Sequence, residues 1–302
     1  MNRRVRLIGG LSLILAIDLV MAGNPAKIDF QWNYKQRVAQ TLFEKKDYPG
    51  AQKALEELVA TAPDEQAKAV CLSLIARTLA CQGQYDLAVQ KAQSIADKSL
   101  ADYTRMEMMT VSGKQAELIA TFKDAQISNW PEMIAYKGFL KRGEAYRATT
   151  NDQAAVADLE QAADRVKMDT KLQEEILNQV GALYKRLKDP VKALDAYRTI
   201  IRIVGEKGVS YHDNQYPSAV LAAARMLKER KEYDEALGYL SAYDPYKGPA
   251  WGCVLLDMSG DIYAAKGQKD KALAKYQEAG KIAALHNFKS AKHYNNKSEK
   301  FK

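Results

Sequence analysis

Residues 181–197 read Gly-Ala-Leu-Tyr-Lys-Arg-Leu-Lys-Asp-Pro-Val-Lys-Ala-Leu-Asp-Ala-Tyr. Residues three and four apart share one face of an α-helix, so Gly181 and Tyr184 fall together on a first helix. Ala193, Tyr197 and Ile200 line one face of a second. Between them, Lys188-Asp189-Pro190 is a turn signal. Asp caps the helix that follows, and Pro at a helix start removes no hydrogen bond. Glycine at the crossing lets two backbones approach closely, and the tyrosine fills the space beside it.

The same internal ruler recurs along the chain. A small residue is followed three later by Tyr or Leu, twelve later by Ala, and sixteen later by another apolar or small residue. It occurs as Ala39, Leu42, Ala51, Leu55 and as Ala76, Leu79, Ala88, Ala92. Gly143, Tyr146, Ala155, Leu159 come next, then Gly181, Tyr184, Ala193, Tyr197. Ala224, Leu227, Ala236, Leu240 and Gly260, Tyr263, Ala272, Tyr276 complete the set. The signature alanines lie 37, 67, 38, 43 and 36 residues apart. The interval of 67 is nearly two periods, so a degenerate third unit is expected within 99–130, with Met106, Met108 and Met109 in it and Gly113 as its turn. The interval of 43 places an insertion at Gly205–Tyr216, and a second irregular stretch, Tyr243–Gly252, carries Pro245, Tyr246, Pro249 and Trp251.

This unit resembles the tetratricopeptide repeat, a helix–turn–helix of about 34 residues with a small residue, Tyr, Ala and a closing Pro. Pro63 supplies that proline after the first unit, and Pro245 loosely after the sixth. The resemblance covers roughly residues 30–280. It implies an all-α fold: a helical-hairpin solenoid wound as a right-handed superhelix, with about seven helix pairs and a C-terminal capping helix. The units are expected near 32–63, 69–97, 99–130, 136–166, 174–204, 217–245 and 253–280, with the cap at 281–292. A basic tail, 293–302, is expected to be disordered.

The resemblance also implies a binding face. In this family, exposed residues of each first helix line an inner groove that takes a peptide or a partner helix. By register the fourth unit contributes Lys137, Glu144 and Arg147, and the fifth Glu175, Asn178 and Lys185. The sixth contributes Arg225 and Lys228, the seventh Asp257 and Asp261. The expected face is mostly cationic and turns acidic at its last unit, where no inner-face cation is foreseen. The Lys–Asn clamp of chaperone-binding members is not found.

The net charge of +8 sits at the ends: residues 1–22 carry +2 and residues 281–302 carry +5. The body is nearly neutral, whereas a nucleic-acid-binding body would carry a basic stripe of its own. No nucleic-acid partner is therefore expected. Arg3, Arg4 and Arg6 precede an apolar stretch, Leu7–Val20, and small residues near Ala22, which together read as an export signal over 1–22. The alternative is an uncleaved anchor, in which case the chain would meet a membrane there. Cleavage would leave residues 23–292 as the repeat body, in the periplasm or cell envelope, and the source is expected to be bacterial.

Motifs of chemistry are not found. The sequence has no HExxH, GxSxG, phosphate-binding loop or paired CxxC. His286 and His293 are seven apart, whereas a helical metal pair is four apart. No metal or cofactor is expected, nor a disulfide, since Cys71 and Cys81 fall ten residues apart on one helix, about 15 Å, and a bridge needs Cα atoms within about 7 Å. The expected function is a non-enzymatic scaffold binding proteins or peptides. The alternative is a carbohydrate or small-molecule binder using Tyr211, His212, Tyr246 and Trp251 of the two irregular stretches.

Overall fold

The computed structural model describes residues 30–166, 169–211 and 213–301, so the segment read as an export signal lies outside the described residues. Fifteen α-helices run through these residues, with no strand among them. The described residues divide into two compact units, parting between Asp158 and Leu159.

In the first unit, α1 (Phe30–Glu44) and α2 (Tyr48–Ala60) form the first hairpin, and α3 (Glu65–Cys81) and α4 (Tyr85–Gln93) the second. Next come α5 (Lys98–Val111) with α6 (Gln115–Phe122), then α7 (Glu132–Ala148) with α8 (Asp152–Arg165), inside which the division falls. The second unit continues with α9 (Thr170–Arg186) and α10 (Pro190–Lys207), then α11 (Gln215–Glu229) and α12 (Tyr233–Ser241). It ends with α13 (Pro249–Ala265), α14 (Lys269–Leu285) and α15 (Ala291–Glu299).

Each of the seven hairpins turns in the same way. The residue seven after the ruler's small residue takes a positive φ: Lys46 64°, Gly83 79°, Gly113 71°, Thr150 62°, Lys188 58°, Lys231 63° and Gly267 73°. The next residue sends its N–H back to the carbonyl at the Tyr/Leu position, as Asp189 does to Tyr184 at 2.9 Å and Gln268 to Tyr263 at 2.9 Å. Its own carbonyl then accepts from the signature alanine, as Asp189 does from Ala193 at 3.1 Å. The left-handed residue thus satisfies carbonyls that a helix end would leave unpaired. The ruler is rigid because three of its positions are joined through one turn.

Aspartates start the first helices as well. Asp64, Asp97 and Asp169 accept from the N–H of Ala67 at 2.7 Å, Leu100 at 3.0 Å and Leu172 at 3.0 Å. Each such cap contributes about 1 kcal/mol. These caps also set the unit boundaries a few residues earlier than the sequence ruler places them, with α3 beginning at Glu65 and α9 at Thr170.

The third unit obeys the ruler with larger residues. Counting back seven from Gly113 gives Met106, and the pattern continues with Met109, Leu118 and Phe122, all buried. A search for small residues and alanine passes over it because methionine and leucine fill those positions. The adaptable thioether suits a crossing wider than glycine would set.

Three expectations fail at the irregular stretches and the C-terminus. Residues 205–207 remain in α10, and Trp251 and Gly252 lie inside α13, so the loops shorten to 208–214 and 242–248. The second helix of the seventh hairpin extends to Leu285, and the cap is α15 rather than 281–292. The stretch 293–299, expected to be disordered, is helical. Tyr294 is buried there among Cys253, Leu256, Ala279, Ile282 and Ala283, and that apolar anchor outweighs the polar composition around it. The three cysteines are free; Cys71 and Cys81 share α3, and Cys71 and Cys253 are buried.

Candidate functional site

Successive first helices lie side by side within each unit: α3 on α5 and α5 on α7 in the first, α9 on α11 and α11 on α13 in the second. In the ruler the inner-face residues fall three before, one after and four after the small residue. These positions are Asn178 and Lys185 around Gly181, Arg225 and Lys228 around Ala224, and Asp257 and Asp261 around Gly260. The second unit therefore brings these six onto adjacent helices. Lys137, Glu144 and Arg147 stand on α7 in the first unit.

Lys137 does not face solvent as expected. It is 5% exposed, with its ammonium 5.8 Å from the ring centres of both Tyr103 and Tyr136. The long apolar stem makes such burial tolerable when aromatic faces receive the charge. Glu144 pairs with Lys141 at 3.6 Å, within its own helix. Arg147 is half-buried.

In the second unit, Asn178 donates to the side-chain oxygen of Gln215 at 2.9 Å and to its carbonyl at 3.2 Å, tying α9 to α11. Glu175 is half-buried, and burial pushes its carboxyl up. Its neighbour Glu174 is buried, and burial, then the charges of Asp213 and Glu175, push its carboxyl up to about 7. Lys185 and Arg225 are exposed and Lys228 half-buried; none of the three makes a hydrogen bond or ion pair among the described residues.

The acidic end is not open, contrary to expectation. Lys297 of α15 donates to Asp257 Oδ1 and to Asp261 Oδ1, both at 2.8 Å. Its ammonium also lies 5.1 Å from the ring centre of Tyr276. Tyr276 donates its hydroxyl to the same Asp261 oxygen at 2.8 Å, and His293 Nε2 stands 3.9 Å from Asp257. Burial works to raise the Asp261 carboxyl, but the bonds from Lys297 and Tyr276 outweigh it and hold it below its ordinary value. Burial works to lower Lys297, and the two carboxylates outweigh that and raise it. The sequence hides this arrangement because the polar, lysine-rich composition of 293–302 reads as a tail. The signal was present: Ser298 and Phe301 repeat the first half of the ruler, 38 residues after Gly260 and Tyr263. Phe301 meets Tyr276 with ring centres 5.5 Å apart.

The two irregular stretches meet. Tyr211 tilts against Tyr243 at 5.1 Å, Tyr243 stacks on Tyr216 at 6.4 Å, and Lys247 lies over Tyr211 at 5.7 Å. Trp251 donates its indole N–H to Asn214 at 2.7 Å. Tyr211 and Trp251 thus pack at a helix junction, and Tyr246 projects, at 66% exposure. His212 lies outside the described residues. No helix among the described residues is long and apolar enough to cross a membrane.

Comparison with known proteins places this architecture. Residues 206–292 match the family model described as a tetratricopeptide repeat-like domain. The fold resembles the apo form of RapI, at 12% identity and a TM-score of 0.55, over 90% of this chain and 80% of that one. It also resembles the C-terminal part of a TPR repeat-containing protein from Cytophaga hutchinsonii, at 17% identity and a TM-score of 0.53, over 86% of this chain and 98% of that one. PilW, a widely conserved type IV pilus biogenesis factor, aligns at 16% identity and a TM-score of 0.46, over 71% of this chain and 92% of that one. A search of the curated proteins by sequence finds no match. The described residues thus have an all-helical hairpin-repeat fold of the tetratricopeptide type.

Proposed function

We propose that this protein is a non-enzymatic interaction scaffold that binds an acidic segment of a partner protein on the inner face of its second unit. The observation that carries the reading is the asymmetry of that face: Lys185, Arg225 and Lys228 have no ion pair among the described residues, while Asp257 and Asp261 are already held by Lys297. A peptide with carboxylates at matching spacing would find cations on adjacent helices. Complementary charge of this kind sets orientation and speeds encounter more than it adds affinity. The reading keeps the protein or peptide class expected from the sequence, without the open acidic end expected at the seventh hairpin.

The proposed setting is the periplasm or cell envelope, supported by the arginines and apolar stretch within residues 1–22. N-terminal sequencing of the exported form should begin near Gly23; an intact Met1 would favour an anchor instead.

The binding experiment compares wild type with Arg225→Glu/Lys228→Glu for capture of partners from envelope extracts. The variant should lose captured protein at low salt, with the difference shrinking as salt screens the charges. Equal retention at low salt would move the site off this face. Among the described residues of the two stretches, the carbohydrate alternative rests on the projecting Tyr246, since Tyr211 and Trp251 are engaged within the fold.

A further inference from the structure

Seven hairpins and their inner face leave one strongly charged surface unused, at the C-terminal cap. Of the six lysines in 281–302, Lys297 turns inward to Asp257 and Asp261. Lys281, Lys289, Lys292 and Lys300 are exposed, and none has an ion pair among the described residues. Helical geometry puts Lys292, Asn296 and Lys300 in one stripe, four residues apart, opposite the face on which Tyr294 and Ser298 are buried. At the corner joining α14 to α15, Leu285 is 73% exposed. It shares a helix face with Lys281, four residues before it, and Lys289 follows it across the connecting turn.

A cationic surface with one projecting leucine is poorly matched to water alone and well matched to a bilayer carrying anionic lipid. The lysines meet headgroup phosphates, and the leucine enters the headgroup–acyl boundary. An acidic protein would satisfy the charges but offers no reason for a 73% exposed leucine among them. The inward Lys297 contributes by orientation: its bonds hold α15 so that the remaining lysines point outward.

We propose that the α14–α15 corner docks on an anionic membrane surface through Lys281, Lys289, Lys292 and Lys300, with Leu285 as the inserted residue. This places one end of the second unit against lipid and leaves the inner face available, so it stands apart from the reading of Lys185, Arg225 and Lys228.

The test is co-sedimentation of the full chain with phosphatidylcholine vesicles, with and without phosphatidylglycerol. Lys289→Glu/Lys292→Glu/Lys300→Glu is compared with wild type, and both carry the same N-terminal segment, so its own lipid affinity cancels. Wild type should partition into anionic vesicles at least about tenfold more than the variant, given the effect of each basic residue near such a surface. Leu285→Ser should weaken binding several-fold with its lysines intact. Should the triple variant misfold by circular dichroism, the corresponding glutamine variant serves in its place, with the same direction expected. Equal partitioning of wild type and a folded variant overturns the proposal. So does binding of wild type to polyglutamate with no preference for anionic over neutral vesicles, which would assign the patch to an acidic protein.

Discussion

Gly181 lies directly under the ring of Tyr197: a Cβ on Gly181 would stand 2.7 Å from Tyr197 Cε1 and Cζ. Gly260 and Tyr276 repeat the relationship. At Ala39 with Leu55 and at Ala224 with Leu240 the sixteenth residue is leucine and the small residue alanine, while Gly143 with Leu159 pairs leucine with glycine. The two positions are therefore one packing unit, in which ring and methyl compete for the same volume.

That competition predicts a double-mutant cycle. Gly181→Ala should destabilise by roughly 1–3 kcal/mol through overpacking. Tyr197→Leu alone leaves a space and should also destabilise. Together they reproduce the pairing found at Ala224 and Leu240, so the double variant should be more stable than the sum of the singles predicts. Strict additivity in urea unfolding would mean the two side chains do not share the site.

Lys297 should lock the cap across a defined pH window. The Asp261 carboxyl is held low, so its contribution is present above the unfolded value and lost as pH falls through the folded one. Lys297 is held high, so its contribution is present below the unfolded value and lost as pH rises through the folded one. Lys297→Met should cost about 1–2 kcal/mol at neutral pH and speed hydrogen exchange in 291–299. In strong acid the variant and wild type should converge. Identical exchange at neutral pH would show that Tyr294 alone holds α15.

Glu174 predicts a slope opposite to that of Asp261. Its carboxyl is raised to about 7, first by burial and then by Asp213 and Glu175. The folded state binds the proton more tightly than the unfolded state, so this residue favours folding below about pH 4.5 and progressively less up to about pH 7. Glu174→Gln should stabilise the protein above pH 7 by up to about 3 kcal/mol and flatten the dependence between those values. A variant curve parallel to wild type would place the titration elsewhere.

Thiol counting under denaturing, non-reducing conditions should return three free thiols. In the native protein Cys81 should react first, because Cys71 and Cys253 are buried. The Cys71 thiol is pushed up to about 12 by burial, so little thiolate forms there at neutral pH. A native protein that labels Cys71 as fast as Cys81 would indicate that α3 opens locally.

The repeated hairpin was legible in the sequence because each unit fixes its own geometry. Residues 181–197 carry the crossing glycine, the capped turn and the second helix without help from elsewhere. The third unit was hidden only because Met106 and Leu118 take positions where glycine or alanine usually sits. The site was less legible for a physical reason. Register assigns which residues share a face, but whether a face is open depends on what packs over it. Lys137 is closed in among tyrosine rings, and Asp257 and Asp261 are covered by a lysine from a segment whose composition suggested disorder. Arg225 and Lys185 kept the exposure that register assigned them.

The central claim is that partners bind the inner face of the second unit, and site-specific photocrosslinking in cells tests it most directly. A photoreactive residue replaces Arg225 on α11 in one variant. In a control it replaces Arg202, an exposed residue of a second helix, α10, whose guanidinium pairs with Glu206 of its own helix. The account predicts a discrete protein adduct at position 225, weakened when Lys185 and Lys228 are reversed to glutamate, and none at position 202. Adducts of the same protein at both positions, or at 202 alone, would contradict it.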